Sequence, residues 1–166
     1  MEILFHGVAT KTNGTPVKVG EKLPAFTVKD AADTVKTGTQ LFTKVSLISV
    51  VPDIDTRVCS LSTKRFNQEV DNYNNINFYT ISTNTLEQQK NWCAAEGVAK
   101  LELLSDATAE FGKAMGLYVE EKGIDARSIW IVDTEGKVLY QELLTEQSDE
   151  PNYAKALEFL DSLDQC

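Results

Sequence analysis

A chain of 166 residues that is 42% hydrophobic and 25% charged has an ordinary globular composition and room for one well-cored domain, expected over 1–166. Its 16 basic against 25 acidic residues leave a net charge of -9. That argues against nucleic acid or an anionic membrane as a partner, since both need basic patches. Met1 to Gly7 carries no basic leader, and no stretch is long enough to span a bilayer, so a cytoplasmic location is expected. Thiols stay reduced there. Cys59, Cys93 and Cys166 are therefore packing groups or chemistry, not a disulfide framework.

In chain order, a hairpin is expected first: Glu2 to Ala9, a turn at Asn13-Gly14, then Pro16 to Val19. Ala25 to Val28 should pair with Thr34 to Lys36. The β-branched run Val45 to Val51 should be a buried central strand. Pro52 ends it, because proline cannot donate to a ladder. A helix then starts at Asp55 or Thr56, both good N-caps, with Val58, Leu61, Phe66, Val70 and Tyr73 at helical spacing.

Asn77 to Ser82 reads as the next strand, and Leu86 to Glu96 as a helix closed by Gly97. A short strand at Leu101 to Leu104 and a helix at Ala107 to Met115 follow. Ser128 to Val132 and Val138 to Tyr140 flank Asp133-Thr134-Glu135-Gly136, a hairpin. Pro151 opens the last helix, with Tyr153, Leu157, Leu160 and Leu163 on one stripe. This order suggests an α/β protein: a mixed sheet with helices on both faces, a thioredoxin-like core with an added N-terminal β-hairpin.

The segment that carries chemistry is Val51-Pro52-Asp53-Ile54-Asp55-Thr56-Arg57-Val58-Cys59. A cysteine in a first helical turn faces unpaired N–H groups and the positive end of the helix dipole, which favour thiolate over thiol. Acidity alone gives little rate. Lowering a thiol pKa from about 8.5 to about 6 raises the thiolate fraction at pH 7 roughly 30-fold. A Brønsted slope of about 0.4–0.5 returns about tenfold of that as lost nucleophilicity. Fast chemistry at such a sulfur must then rest on stabilising the charge that develops on the departing group.

The spacing P-x-x-x-T-x-x-C across Pro52, Thr56 and Cys59 resembles the peroxiredoxin signature. With Leu61-Ser62-Thr63-Lys64-Arg65-Phe66-Asn67 it resembles the bacterial thiol peroxidases, a branch of the atypical two-cysteine peroxiredoxins. Further blocks are Trp92 to Gly97, Ala126-Arg127, Val132-Asp133 and Glu150-Pro151-Asn152-Tyr153, so the resemblance covers nearly the full length. It implies that Cys59 attacks the peroxide, and that Thr56 and Arg127 stabilise the transition state. It implies further that Pro52 shields the thiolate and that Cys93 resolves the sulfenic acid as an intrachain disulfide.

The resemblance also implies a thioredoxin-recycled reductase of hydrogen peroxide and alkyl or lipid hydroperoxides, a homodimer, without metal, haem or flavin. Arg57 and Asp53 depart from the family pattern, where a small residue or proline and a serine are usual; the two can pair. Cys166, the last residue, is expected to be incidental, and His6 to be a hairpin residue. One rival is a thiol-based peroxide sensor or relay signalling to a protein partner. A second is a binding module that has lost catalysis, which the presence of Thr56 and Cys59 disfavours. A dithiol oxidoreductase is disfavoured by the lack of a C-x-x-C pair.

Overall fold

The computed structural model describes residues 1–54, 56–73, 75–97 and 101–164. It opens on a hairpin, β1 (Glu2–Phe5) against β2 (Val8–Lys11), with Phe5 opposite Val8. The turn is His6-Gly7, with φ of 48° and 81°, the pair of positive values that matches the twist of a tight hairpin. The turn expected at Asn13-Gly14 is corrected to this position, and residues 16–19 form no strand. Asn13 is engaged elsewhere. Its side chain donates to the Lys113 carbonyl and accepts from the Tyr118 N–H, which docks the segment after β2 onto distant chain.

The remaining elements are β3 (Thr27–Lys29), β4 (Val35–Thr37), a four-residue α1 (Gly38–Leu41), β5 (Val45–Val50) and α2 (Arg57–Glu69). Then come β6 (Ile76–Ser82), α3 (Leu86–Glu96), β7 (Glu102–Ser105) and α4 (Glu110–Met115). The two-residue strands β8 (Tyr118–Val119) and β9 (Ile124–Asp125) pair with each other. Last are β10 (Ser128–Val132), β11 (Val138–Leu143) and α5 (Tyr153–Asp164). No helix among the described residues is long and apolar enough to cross a membrane.

Seven strands form one mixed sheet in the order β11-β10-β5-β6-β7-β3-β4, with β5, β6 and β7 parallel and the other pairings antiparallel. Both faces are covered, as the β-branched runs require. Alternate residues feed opposite cores, as the pleat dictates. Ile48, Tyr79, Leu104 and Trp130 join Phe26, Phe111 and Met115 on one side. Leu47, Phe78, Leu103 and Ile129 join Cys59, Phe66, Trp92 and Leu160 on the other. Helices α2, α3 and α5 thus cover the face that holds Cys59. The mixed sheet, helices on both faces and N-terminal strand pair are those expected of a thioredoxin-like fold.

Two helices differ in detail from expectation. In α2 the stripe was to include Leu61, which is instead 41% exposed, while Ser62 and Thr63 are fully buried. Their hydroxyls have partners, Thr63 Oγ1 donating to the Cys59 carbonyl at 2.8 Å and Ser62 Oγ lying 2.8 Å from the Tyr153 hydroxyl, so polarity did not force them outward. Helix α4 starts at Glu110 rather than Ala107 because Ala109 has φ of 62°, which no right-handed helix continues. Asp106 supplies the missing cap, its two oxygens accepting from the Phe111 and Gly112 N–H groups at 2.9 Å each.

Beside Asp106 lies a second buried acid. Neither oxygen of Asp125 receives a hydrogen bond, and a Cβ on Gly112 would fall 1.8 Å from its Oδ1, so only glycine fits there. Burial first, then the Asp106 carboxyl, holds the Asp125 pKa well above the ordinary carboxylate value. Asp106 is raised too, by burial and more weakly by Glu110, against the pull of its hydrogen bonds. A carboxyl that keeps its proton only when folded costs increasing stability as pH climbs above its unfolded pKa. Asp125→Asn, which keeps the shape without that cost, should raise Tm relative to the parent by a margin that grows between pH 5 and pH 8. Thermal melts at the two pH values check this; a margin independent of pH would contradict it.

Candidate active site

The site is built where β5 ends. Beyond Val50 the Val51 N–H still reaches the Ile81 carbonyl at 2.9 Å, and Pro52, buried and without an N–H, stops the ladder there. The loop that follows is pinned from the end of β6. Asn84 Oδ1 accepts from the Ile54 N–H at 2.8 Å, and Asn84 Nδ2 donates to Asp53 Oδ1 at 3.0 Å. The Thr83 hydroxyl donates to the Pro52 carbonyl at 3.4 Å. Ligand sites of open α/β sheets lie at these carboxyl ends of parallel strands.

Thr56 is the N-cap of α2, in extended conformation with φ -79° and ψ 155°. Its hydroxyl does not cap an N–H. It donates to the Asp53 carbonyl at 2.8 Å, so its hydrogen is committed and its oxygen is left to act as an acceptor. Cys59 lies three residues on, in the first turn, and is fully buried. Val51, Ile54, Phe66, Trp92 and Ile129 belong to the same apolar cluster. The Arg57 side chain lies outside the described residues, and with it the expected pairing to Asp53.

Arg127 reaches this place across the sheet. Ser128 pairs with Val50, so the residue before β10 stands at the end of β5 where the Pro52 loop departs. It is 4% exposed. The Nε donates to the Gln147 carbonyl at 2.8 Å, and the Arg127 N–H to Gln147 Oε1 at 2.5 Å. Nη1 is buried and has no hydrogen-bond partner. A buried charged donor left open is costly, and its open N–H is what a passing oxyanion needs. Gln147, which fixes the guanidinium, carried no sequence signal.

Cys93 lies in the last turn of α3, half-buried against the cluster that contains Cys59. Its carbonyl accepts from Gly97, whose φ of 68° closes the helix. Burial pushes the Cys93 thiol pKa up. Both Cys59 and Cys93 are free thiols, and Cys166 lies outside the described residues. Among the described residues no three His, Cys, Asp or Glu side chains gather so as to hold a metal ion. Pro52, Thr56 and Cys59 follow the end of β5, Arg127 precedes the strand paired with it there, and Cys93 lies on a different helix bordering the same core.

The AhpC/TSA family model matches residues 19–141 of this chain. A thiol peroxidase from Bacillus subtilis (strain 168) is 42% identical over 158 residues, 95% of each chain. Among solved structures, a peroxiredoxin-like protein from Aquifex aeolicus is 28% identical with a TM-score of 0.90, over 98% of this chain and 96% of that one. A thiol peroxidase from Chromobacterium violaceum, 16% identical over 99% and 98% of the two chains, shares the fold with a TM-score of 0.88. The sheet, the cysteine at the head of α2 and these relatives agree: the chain belongs to the AhpC/TSA family, among its thiol peroxidases.

Proposed function

We propose that this enzyme of the thiol peroxidase family reduces hydrogen peroxide and organic hydroperoxides, alkyl and lipid, with Cys59 as the attacking sulfur. The observation that carries the reading is a cysteine in the first turn of α2 and an open guanidinium N–H of Arg127, both at the end of β5. The Cys59 thiolate attacks one peroxide oxygen. An S–O bond forms, the O–O bond breaks, and the second oxygen leaves with a proton as water or alcohol. Sulfur loses two electrons and the peroxide gains them. Thr56 accepts a hydrogen bond from the peroxide O–H, Arg127 stabilises the charge on the departing oxygen, and Pro52 keeps water off the sulfur.

Cys93 then attacks the sulfenic sulfur; the S–S bond forms and the hydroxyl leaves as water. A disulfide needs Cα atoms within about 7 Å, so a helix end unwinds to bring the sulfurs together. Thioredoxin returns the two electrons to a cytoplasmic homodimer of chains that each act as one domain. The test is NADPH consumption with thioredoxin and thioredoxin reductase over several hydroperoxides. Multiple turnovers with thioredoxin are expected. One round of oxidation without turnover would instead identify a sensor.

A further inference from the structure

The block Glu150-Pro151-Asn152-Tyr153 has no place in the chemistry so far, yet it ties the start of α5 to the helix of Cys59. Asn152 fixes the entry into α5: its Oδ1 accepts from the Lys155 N–H at 3.1 Å, and its own N–H donates to Glu142 at 2.9 Å. The Tyr153 ring meets Phe66 of α2 edge-on, 5.5 Å between centroids at 80°. Its hydroxyl lies 2.8 Å from Ser62 Oγ and donates to Glu150 Oε1 at 3.3 Å. Burial holds that phenol as a phenol, its pKa pushed up to about 12, and the Arg127 charge pulls the other way. Since the one phenolic hydrogen goes to Glu150, Ser62 donates to Tyr153. Ser62 is fully buried and lies three residues from Cys59, on the same side of the helix.

We propose that Tyr153 is a positioning residue that acts through Ser62. It latches the second turn of α2 to α5, keeps the Cys59 turn wound while peroxide reacts, and sets how readily that turn unwinds for disulfide closure. The latch rests on the reading of Cys59 as the attacking sulfur. A sulfenic acid that closes slowly stays longer within reach of a second peroxide, which converts it to sulfinic acid. Tyr153 therefore trades protection of the wound site against overoxidation.

Tyr153→Phe keeps the ring on Phe66 and removes only the hydroxyl; Ser62→Ala removes the other half of the bond. In each, disulfide closure after one peroxide equivalent should speed up about three- to tenfold, the shift that losing one net hydrogen bond brings to an opening equilibrium. The peroxide concentration that overoxidises half the enzyme during turnover should rise by a similar factor. In the double variant the two effects should not multiply, which independent destabilisations would do. Stopped-flow tryptophan fluorescence follows closure, and intact mass reports sulfinic acid. Unchanged or slower closure in either single variant, or factors that multiply in the double, would overturn the latch. Failure of the parent enzyme to form any sulfenic acid or disulfide at Cys59 would instead strike the underlying reading.

Discussion

Cys59→Ser should bring peroxide consumption to background. A serine hydroxyl is a weak nucleophile at its free pKa, and no described side chain near the head of α2 is a histidine that could activate it. The substitution is nearly isosteric at a fully buried position, so the fold should survive and the loss should be one of chemistry. Circular dichroism and a thermal melt establish that the variant is folded before NADPH consumption is measured. Turnover retained in a folded serine variant would remove Cys59 from the reaction.

Arg127→Ala should slow oxidation of the reduced enzyme by at least about tenfold, since a charge-assisted hydrogen bond contributes roughly 1.5–3 kcal/mol. The loss should fall on chemistry more than on stability. The residue gives up its Nε bond to Gln147, but the variant is also relieved of a buried donor with no partner. Arg127→Lys should recover little, because an ammonium retains the charge but not the fork that reaches Gln147 and an oxyanion together. Second-order rates from stopped-flow mixing with peroxide check both variants. A rate equal to the parent's in Arg127→Ala would place the anion-stabilising group elsewhere, with Arg57 the next residue to replace.

What the sequence made legible was local. Pro52 stops β5, Thr56 stands before α2, Gly97 closes α3, and Asp133 to Gly136 turn β10 into β11, all within a few residues of the element they punctuate. What it concealed depended on distant partners. Asn13-Gly14 has the composition of a hairpin turn, but Asn13 is used by Lys113 and Tyr118, and the turn falls at His6-Gly7. Ser62 looks like a surface residue until Tyr153, 91 positions away, accepts its hydrogen. Helix α1 and the strands β8 and β9 are too short to leave a periodic pattern.

The candidate site divides the same way. Cys59 and Thr56 could be read from spacing along one segment, whereas Arg127 entered only through family resemblance. Asn84, which pins the loop, and Gln147, which holds the guanidinium, act through contacts across 30 and 20 residues of chain and left no pattern to read.

In the proposed reaction Cys59 takes the oxygen and Cys93 resolves it. Both sit at helix ends, in the first turn of α2 and the last turn of α3, where few backbone bonds must break. One equivalent of hydrogen peroxide should therefore be added to the reduced protein, followed by alkylation and a non-reducing digest read by mass spectrometry. A Cys59–Cys93 linked peptide pair should dominate, with sulfenic and then sulfinic acid accumulating at Cys59 in Cys93→Ser and the normal linkage in Cys166→Ser. A dominant Cys59–Cys166 linkage would contradict the resolving step, and oxidation that leaves Cys59 as a free thiol would contradict the account as a whole.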